Sequence, residues 1–195
     1  MCRLRDEEKK ILLDIARKAI ALSVSEGRRL EVTEAREGLS ARGGAFVTIR
    51  KRRRLCGCIG RLSSLESLVD VVAHCAAAAA TDDPRFSGLR PDELEDLEIE
   101  ISILSAVQRA CPEDVAAGLH GLVISRNGRR GVLLPQVARE HRWSRERFLE
   151  ETCLKAGLDL NDWKDRETHI EIFTAESFSE ADFAGCPENE DAAEK

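Results

Sequence analysis

A cysteine sits between two glycines in Leu55-Cys-Gly-Cys-Ile-Gly60, and arginines flank the segment as Arg54 and Arg61. That combination can do thiol chemistry. The thiolate is the nucleophilic form of cysteine, and nearby positive charge or a helix N-terminus favours it. Gly57 and Gly60 permit positive φ and let a ligand approach the backbone. A helix opening at Ser63 or Ser64 would add main-chain N–H groups and complete an anion pocket. Cys58 is therefore the candidate catalytic nucleophile, with Gly57, Gly60, Arg54 and Arg61 as candidate substrate contacts. In an extended segment Cys56 and Cys58 share a face, because side chains alternate. The competing reading is a small cysteine packed into a core.

Two further residues suit a ligand. Arg85, in Asp83-Pro-Arg-Phe86, can bind an anion or pin its own loop to Asp82. Gln136 follows Leu134-Pro135 at a strand exit, a place for a ligand contact or a backbone bridge. Zinc is a weaker alternative. Cys56 and Cys58 with His74 or Cys75 offer suitable ligand types, but the spacing departs from the usual Cys-x2-4-Cys pairs and no second pair exists. No metal and no cofactor is assigned. His120, His141 and His169 have no partners nearby in sequence, so no general base can be named.

The run Arg50-Lys-Arg-Arg-Arg54 offers a different function, a protein- or nucleic-acid-binding hairpin tip. In a strand its charges would split between two faces, as a solvated tip does. Aromatic residues make up only 4% of the chain, leaving few rings for base stacking.

The elements that must position these residues follow from periodicity. Ile11, Ile15, Ala19 and Leu22 predict an amphipathic helix over about Asp6 to Ser25, with Gly27 as its stop. Residues 45–49 read as a strand, and 55–60 as its hairpin partner with the basic run at the turn. Ser63 and Glu66 have the form of a capping box for a helix to about Ala80. Leu97, Ile99, Ile101 and Ile103 alternate with polar residues, a half-buried strand. Residues 121–125 and 130–134 predict a hairpin turning at Asn127-Gly128. Ser144 can cap a helix to Ala156, and residues 168–174 close the chain's strands. Hairpins without strict βαβ alternation predict an α+β fold with a mixed, mainly antiparallel sheet and packed helices.

The 195 residues suit one domain or two lobes sharing a core. The net charge of −6 is local. Residues 176–195 carry seven acids and one base, so the remaining body is formally neutral. That argues against a general nucleic-acid binder. The tail, 181–195, is expected to be disordered, and 1–180 to form the domain. No run reaches the ~20 apolar residues of a membrane span. The charged N-terminus does not read as a signal peptide. A cytoplasmic protein is expected, its seven scattered cysteines reduced and mostly packed.

Read in order, Gly57-Cys-Ile-Gly60, Asp83-Pro-Arg-Phe86, residues 98–105, Gly131-Val-Leu-Leu-Pro-Gln136 and Cys153-Leu-Lys-Ala-Gly157 with Trp163 resemble the AMME-chromosomal-region domain. Its prokaryotic form is AmmeMemoRadiSam system protein A. The resemblance covers about residues 8–180. It implies a two-lobed α+β domain with Gly-Cys-Ile-Gly at a cleft, and association with a Memo-type protein and a radical SAM protein. Cys58 takes the place of the motif's cysteine. Where the family carries arginine before the Gly-Cys pair, this chain has Cys56, so another base, such as Arg54 or Arg61, must supply any charge at the thiol.

Overall fold

The computed structural model describes residues 4–32, 39–40 and 42–183. Helix α1 spans Asp6–Glu26, with Asp6, Glu7 and Glu8 at its positive end and Gly27 in the left-handed conformation at φ 65°. Leu12, Ile15, Ala16, Ala19 and Ile20 form its buried stripe. Strands β1 (Gly44–Lys51) and β2 (Arg54–Arg61) are the expected hairpin, and its turn residues Arg52 and Arg53 have φ of 48° and 66°.

Helix α2 spans Leu68–Thr81, so the capping box expected at Ser63 does not open it. Ser67 is the cap, and its hydroxyl accepts from Asp70 N–H at 3.3 Å. Residues 62–67 carry the chain across to α2. There Ser64 Oγ accepts from Glu66 N–H at 3.0 Å, and the Glu66 carboxylate pairs with Arg61.

Strand β3 (Leu97–Leu104) follows, then the two-residue β4 (Gln108–Arg109). Strands β5 (His120–Arg126) and β6 (Arg129–Leu133) form the second hairpin. Asn127 and Gly128 both have positive φ, 50° and 77°, as a two-residue primed turn demands. A short helix α3 (Pro135–Glu140) begins where the sequence showed only a strand exit, and α4 (Arg145–Lys155) is capped by Ser144 as expected.

The last strand, β7 (His169–Ser179), runs five residues beyond the expected Thr174. The extension joins the molecule. Residues 169–174 pair with β5 and residues 175–179 with β3, giving one antiparallel sheet in the order β2-β1-β3-β7-β5-β6, with β4 also on β7. Alternation along β7 sorts the layers. Ile170 and Ile172 pack toward α4 and Phe178 toward α1 and α2. Phe173 and Ala175 point to the other face, where Phe46, Leu104 and Val123 join them. The two helix-covered cores are the two lobes, and the fold is α+β. No described helix is long and apolar enough to cross a membrane.

Beyond β7 the chain still packs. Glu180 accepts from Arg17 Nε and Nη2, each at 2.6 Å, and from Ile99 N–H at 3.1 Å. Phe183 lies against the first core. The rest of the expected tail, 184–195, lies outside the described residues.

Candidate functional site: a thiol on a closed strand edge

Strand β2 ends the sheet, so one of its edges has no partner strand. Cys58 faces Thr48 across the hairpin. Its main-chain groups point outward to the open edge, where two side chains replace a strand. Cys58 N–H donates to Asp83 Oδ2 at 2.9 Å, and Arg85 Nη2 donates to the Cys58 carbonyl at 2.9 Å. The Arg85 guanidinium donates to Asp83 twice, at 2.9 and 2.7 Å, and the Arg85 main-chain N–H donates to it at 3.2 Å. Arg85 thus pins Asp83 rather than Asp82, which accepts instead from Thr81. Charged side chains blunt an edge that would otherwise recruit another chain.

The electrostatics follow from this geometry. The Arg85 guanidinium beside Asp83 holds that carboxyl well below the usual range; burial opposes the effect and the Cys58 N–H adds to it. Asp83 in turn raises the pKa of Arg85, and the Cys58 thiol acts on Arg85 in the same direction. On its other side the half-buried thiol accepts from Thr48 Oγ1 at 3.3 Å. Cys58 therefore has a hydroxyl donor on its Sγ and a guanidinium on its carbonyl.

The glycines do a different job from the one expected. Neither has positive φ among the described residues. A Cβ at Gly57 would lie 1.9 Å from the Ala79 carbonyl oxygen, and one at Gly60 would lie 2.2 Å from the Phe46 ring. Both clear space for the chain's own packing. The Ala79 contact also corrects the helix argument. The end of α2 beside this segment is its C-terminus, whose carbonyls carry partial negative charge. Ser67, at the N-terminus, is at the far end of the helix. The cation bonded to Cys58 is Arg85, at the main-chain carbonyl.

Arg61 is engaged with Glu66, and Arg54 lines a separate cavity of about 410 Å3 with Leu55, Cys56, Phe86 and Leu89. The register skips between Ile49 and Arg50, leaving Cys56 as the extra residue of a bulge. Cys56 then packs toward the α1–α2 core, while Cys58 meets Thr48, so the two do not share a face. Cys75 and Cys153 are buried, and burial pushes each thiol up to about 11. Among the described residues no group of three or more His, Cys, Asp or Glu is arranged to hold a metal ion.

Gln136 reaches the same sheet face further along. Its Nε2 donates to Ser102 Oγ at 3.0 Å and to Ser177 Oγ, and those hydroxyls are 2.9 Å apart. Gln136 Oε1 is buried without a partner. The register aligns two rows across four strands: Gly60, Phe46, Ser102, Ser177, and next to it Cys58, Thr48, Glu100, Ser179. Burial pushes the Glu100 carboxyl up, with Arg50 opposing. Sequence reasoning missed Thr48, Glu100, Ser102 and Ser177. Alternation with apolar neighbours was the signal for Thr48, Glu100 and Ser102, Ser177 having none, and only the register shows that all four share a face with Cys58.

A family profile described as AMMECR1 matches residues 13–178. The chain belongs to the AMMECR1 family. Protein MK0488 from Methanopyrus kandleri is 36% identical over 99% of this chain and 98% of its own length. Protein TK0174 from Thermococcus kodakarensis is 36% identical over 92% of this chain and 94% of its own. Among solved structures, the crystal structure of uncharacterized protein PH0010 from Pyrococcus horikoshii has a TM-score of 0.86 at 34% identity. That match covers 90% of this chain and 93% of that one. AMMECR1 membership agrees with the resemblance carried by the ordered motifs.

Proposed function

We propose that this AMMECR1-family chain is a thiol-dependent enzyme, or the substrate-handling component of one, with Cys58 as nucleophile. The observation that carries the reading is the environment of Cys58: Thr48 Oγ1 donates to its Sγ at 3.3 Å, and Arg85 bonds the carbonyl of the same residue at 2.9 Å. Asp83 fixes Arg85 in place and balances part of its charge. Arg85 is then both the cation bonded to the Cys58 carbonyl and a contact for an anionic substrate group, and Gln136 offers a contact along the same face. Gly57 and Gly60 serve the site by letting α2 and Phe46 close around the strand. The reading extends to a cytoplasmic AmmeMemoRadiSam-type system, in which this chain works beside a Memo-type and a radical SAM protein. Co-purification of the three tests that part.

Binding through the basic run is less well supported. Lys51 is bonded to Glu93 at 2.9 Å and Arg52 to Asp96 at 3.1 Å, which divides the run and ties up two of its five charges.

Iodoacetamide labelling, followed peptide by peptide at neutral pH, tests the thiol role. Cys58 should react faster than the exposed Cys111, and Cys58→Ser should abolish the fast phase. A Cys58 slower than Cys111 would make it a packing residue.

A further inference from the structure

Along the row of Cys58 and Thr48 and the row beyond it, the same sheet face runs into a cavity of about 510 Å3 bounded by Arg50, Arg53, Glu98, Glu100, Glu140 and Ser179. The volume falls in the ~300–1,000 Å3 range of small-molecule sites. Five charged side chains converge here from β1 and its turn, β3 and α3. Several partly buried charges elsewhere are paired, as Arg17 with Glu180 and Arg126 with Asp162. In the cavity, among the described residues, none of the five side chains makes a hydrogen bond or an ion pair. Arg50 and Glu100 are half-buried on the cavity wall, with no ion pair that a ligand would have to displace.

The charges say which ligand. Two guanidinium groups suit a carboxylate, which they can hold by paired hydrogen bonds. Carboxylates suit an ammonium group. Two guanidinium groups and three carboxylates present both signs of charge within one cavity, with Arg50 directly across from Glu98 on the neighbouring strand. Such a cavity disfavours a dianion and accepts a molecule bearing both signs. We infer that this cavity binds a small zwitterion, an amine and a carboxylate on one short chain, of the amino-acid or short-peptide class. Glu100 stands two strands from Cys58 in the same row, roughly 10 Å at ~4.8 Å per strand. A dipeptide, at ~3.5 Å per residue plus its end groups, can reach from the cavity toward the thiol. The inference names the substrate class for the proposed reaction, and rests on that proposal only in making the ligand the substrate of Cys58.

The test is a titration of the full 15N-labelled chain, read from amide chemical shifts, with alanine and dialanine as the two zwitterions. Propylamine, propionate and inorganic phosphate supply one sign of charge each. Shifts should appear at residues 50–53, 98–100, 140 and 179, and the better zwitterion should bind at least about tenfold more tightly than any one-sign probe. Arg50→Gln and Glu140→Gln should each weaken it by about tenfold, the latter at an exposed residue whose loss leaves the fold intact. Cys58→Ser should leave binding unchanged, so that slow labelling of Cys58 would refute the thiol role without touching this site. No shift from either zwitterion up to about 20 mM, or tighter binding of phosphate, would overturn the inference.

Discussion

Asp83 accepts the main-chain N–H of Cys58 at 2.9 Å, across an edge of the sheet that has no partner strand. A carboxylate here is tolerable because the Arg85 guanidinium binds it twice and also bonds the Cys58 carbonyl. Together they act as a one-residue strand. Cys58 is held on a fixed stretch of β2, and the cation bonded to its carbonyl is held by the same clamp.

Asp83→Asn should therefore destabilise the chain by about 2 kcal/mol at neutral pH. This is less than a fully buried pair would cost, because the Arg85 side chain is half exposed and solvent screens it. The pH dependence has a definite sign. The folded-state pKa of Asp83 is depressed, so its contribution is complete above the unfolded value of ~3.9 and is lost as pH falls through the folded value. Urea denaturation should show a constant gap between the two proteins from pH 7 to 5, narrowing by pH 3. A gap that widens on acidification would show that the carboxylate is not paired as described.

Gly57→Ala should cost more than about 2 kcal/mol or displace α2, because the obstacle to its Cβ is the main chain at Ala79. Gly43 has open space where a Cβ would go, so Gly43→Ala should stay within about 0.5 kcal/mol. Thermal melts of the two variants make the comparison. Equal melting temperatures would mean that α2 does not press on β2 at this point.

Glu180, the last residue of the expected domain, is tied into the fold. Glu180 ties α1 to the start of β3 through Arg17 and Ile99. Glu180→Gln should cost about 1 kcal/mol, a modest figure because both side chains are partly exposed. Chemical denaturation in the Arg17→Ala background checks it: there the substitution should have little further effect.

The two hairpins, the long helices and the α+β class were legible because hydrophobic period and turn chemistry agreed with the fold in those segments. Asn127-Gly128 is an example, two residues that tolerate the positive φ the turn imposes. The start of α2 was not legible. Ser63 and Ser67 both offer a hydroxyl three residues before an acid, and only the crossing from β2 selects Ser67. The second half of β7 was missed because Ala175-Glu-Ser-Phe-Ser179 has little strand character alone and is fixed by pairing with β3. At the site, Cys58 and Arg85 could be picked by type, but their partnership depends on a loop returning to a strand edge 25 residues earlier. The bulge at Cys56 also broke the alternation on which the shared-face argument relied.

Buried thiols provide an internal reference for the account's chemistry. Burial raises Cys75 and Cys153 to about 11, so both should resist alkylation in the native chain and react after unfolding. Native labelling of either at the rate of Cys111 would mean that the helices around it open readily.

The most direct measurement is the rate of Cys58 alkylation at pH 7 in the wild-type chain and in Thr48→Val, with Cys111 in the same molecule as the standard. Valine keeps the shape of position 48 and removes the donor that lies 3.3 Å from Sγ. If the hydroxyl helps hold the thiolate, Cys58 in the wild-type chain outpaces Cys111, and the substitution slows Cys58 by about threefold to tenfold while leaving Cys111 unchanged. A Cys58 that trails Cys111 in the wild-type chain, or reacts equally fast in Thr48→Val, would contradict the claim that this thiol is activated.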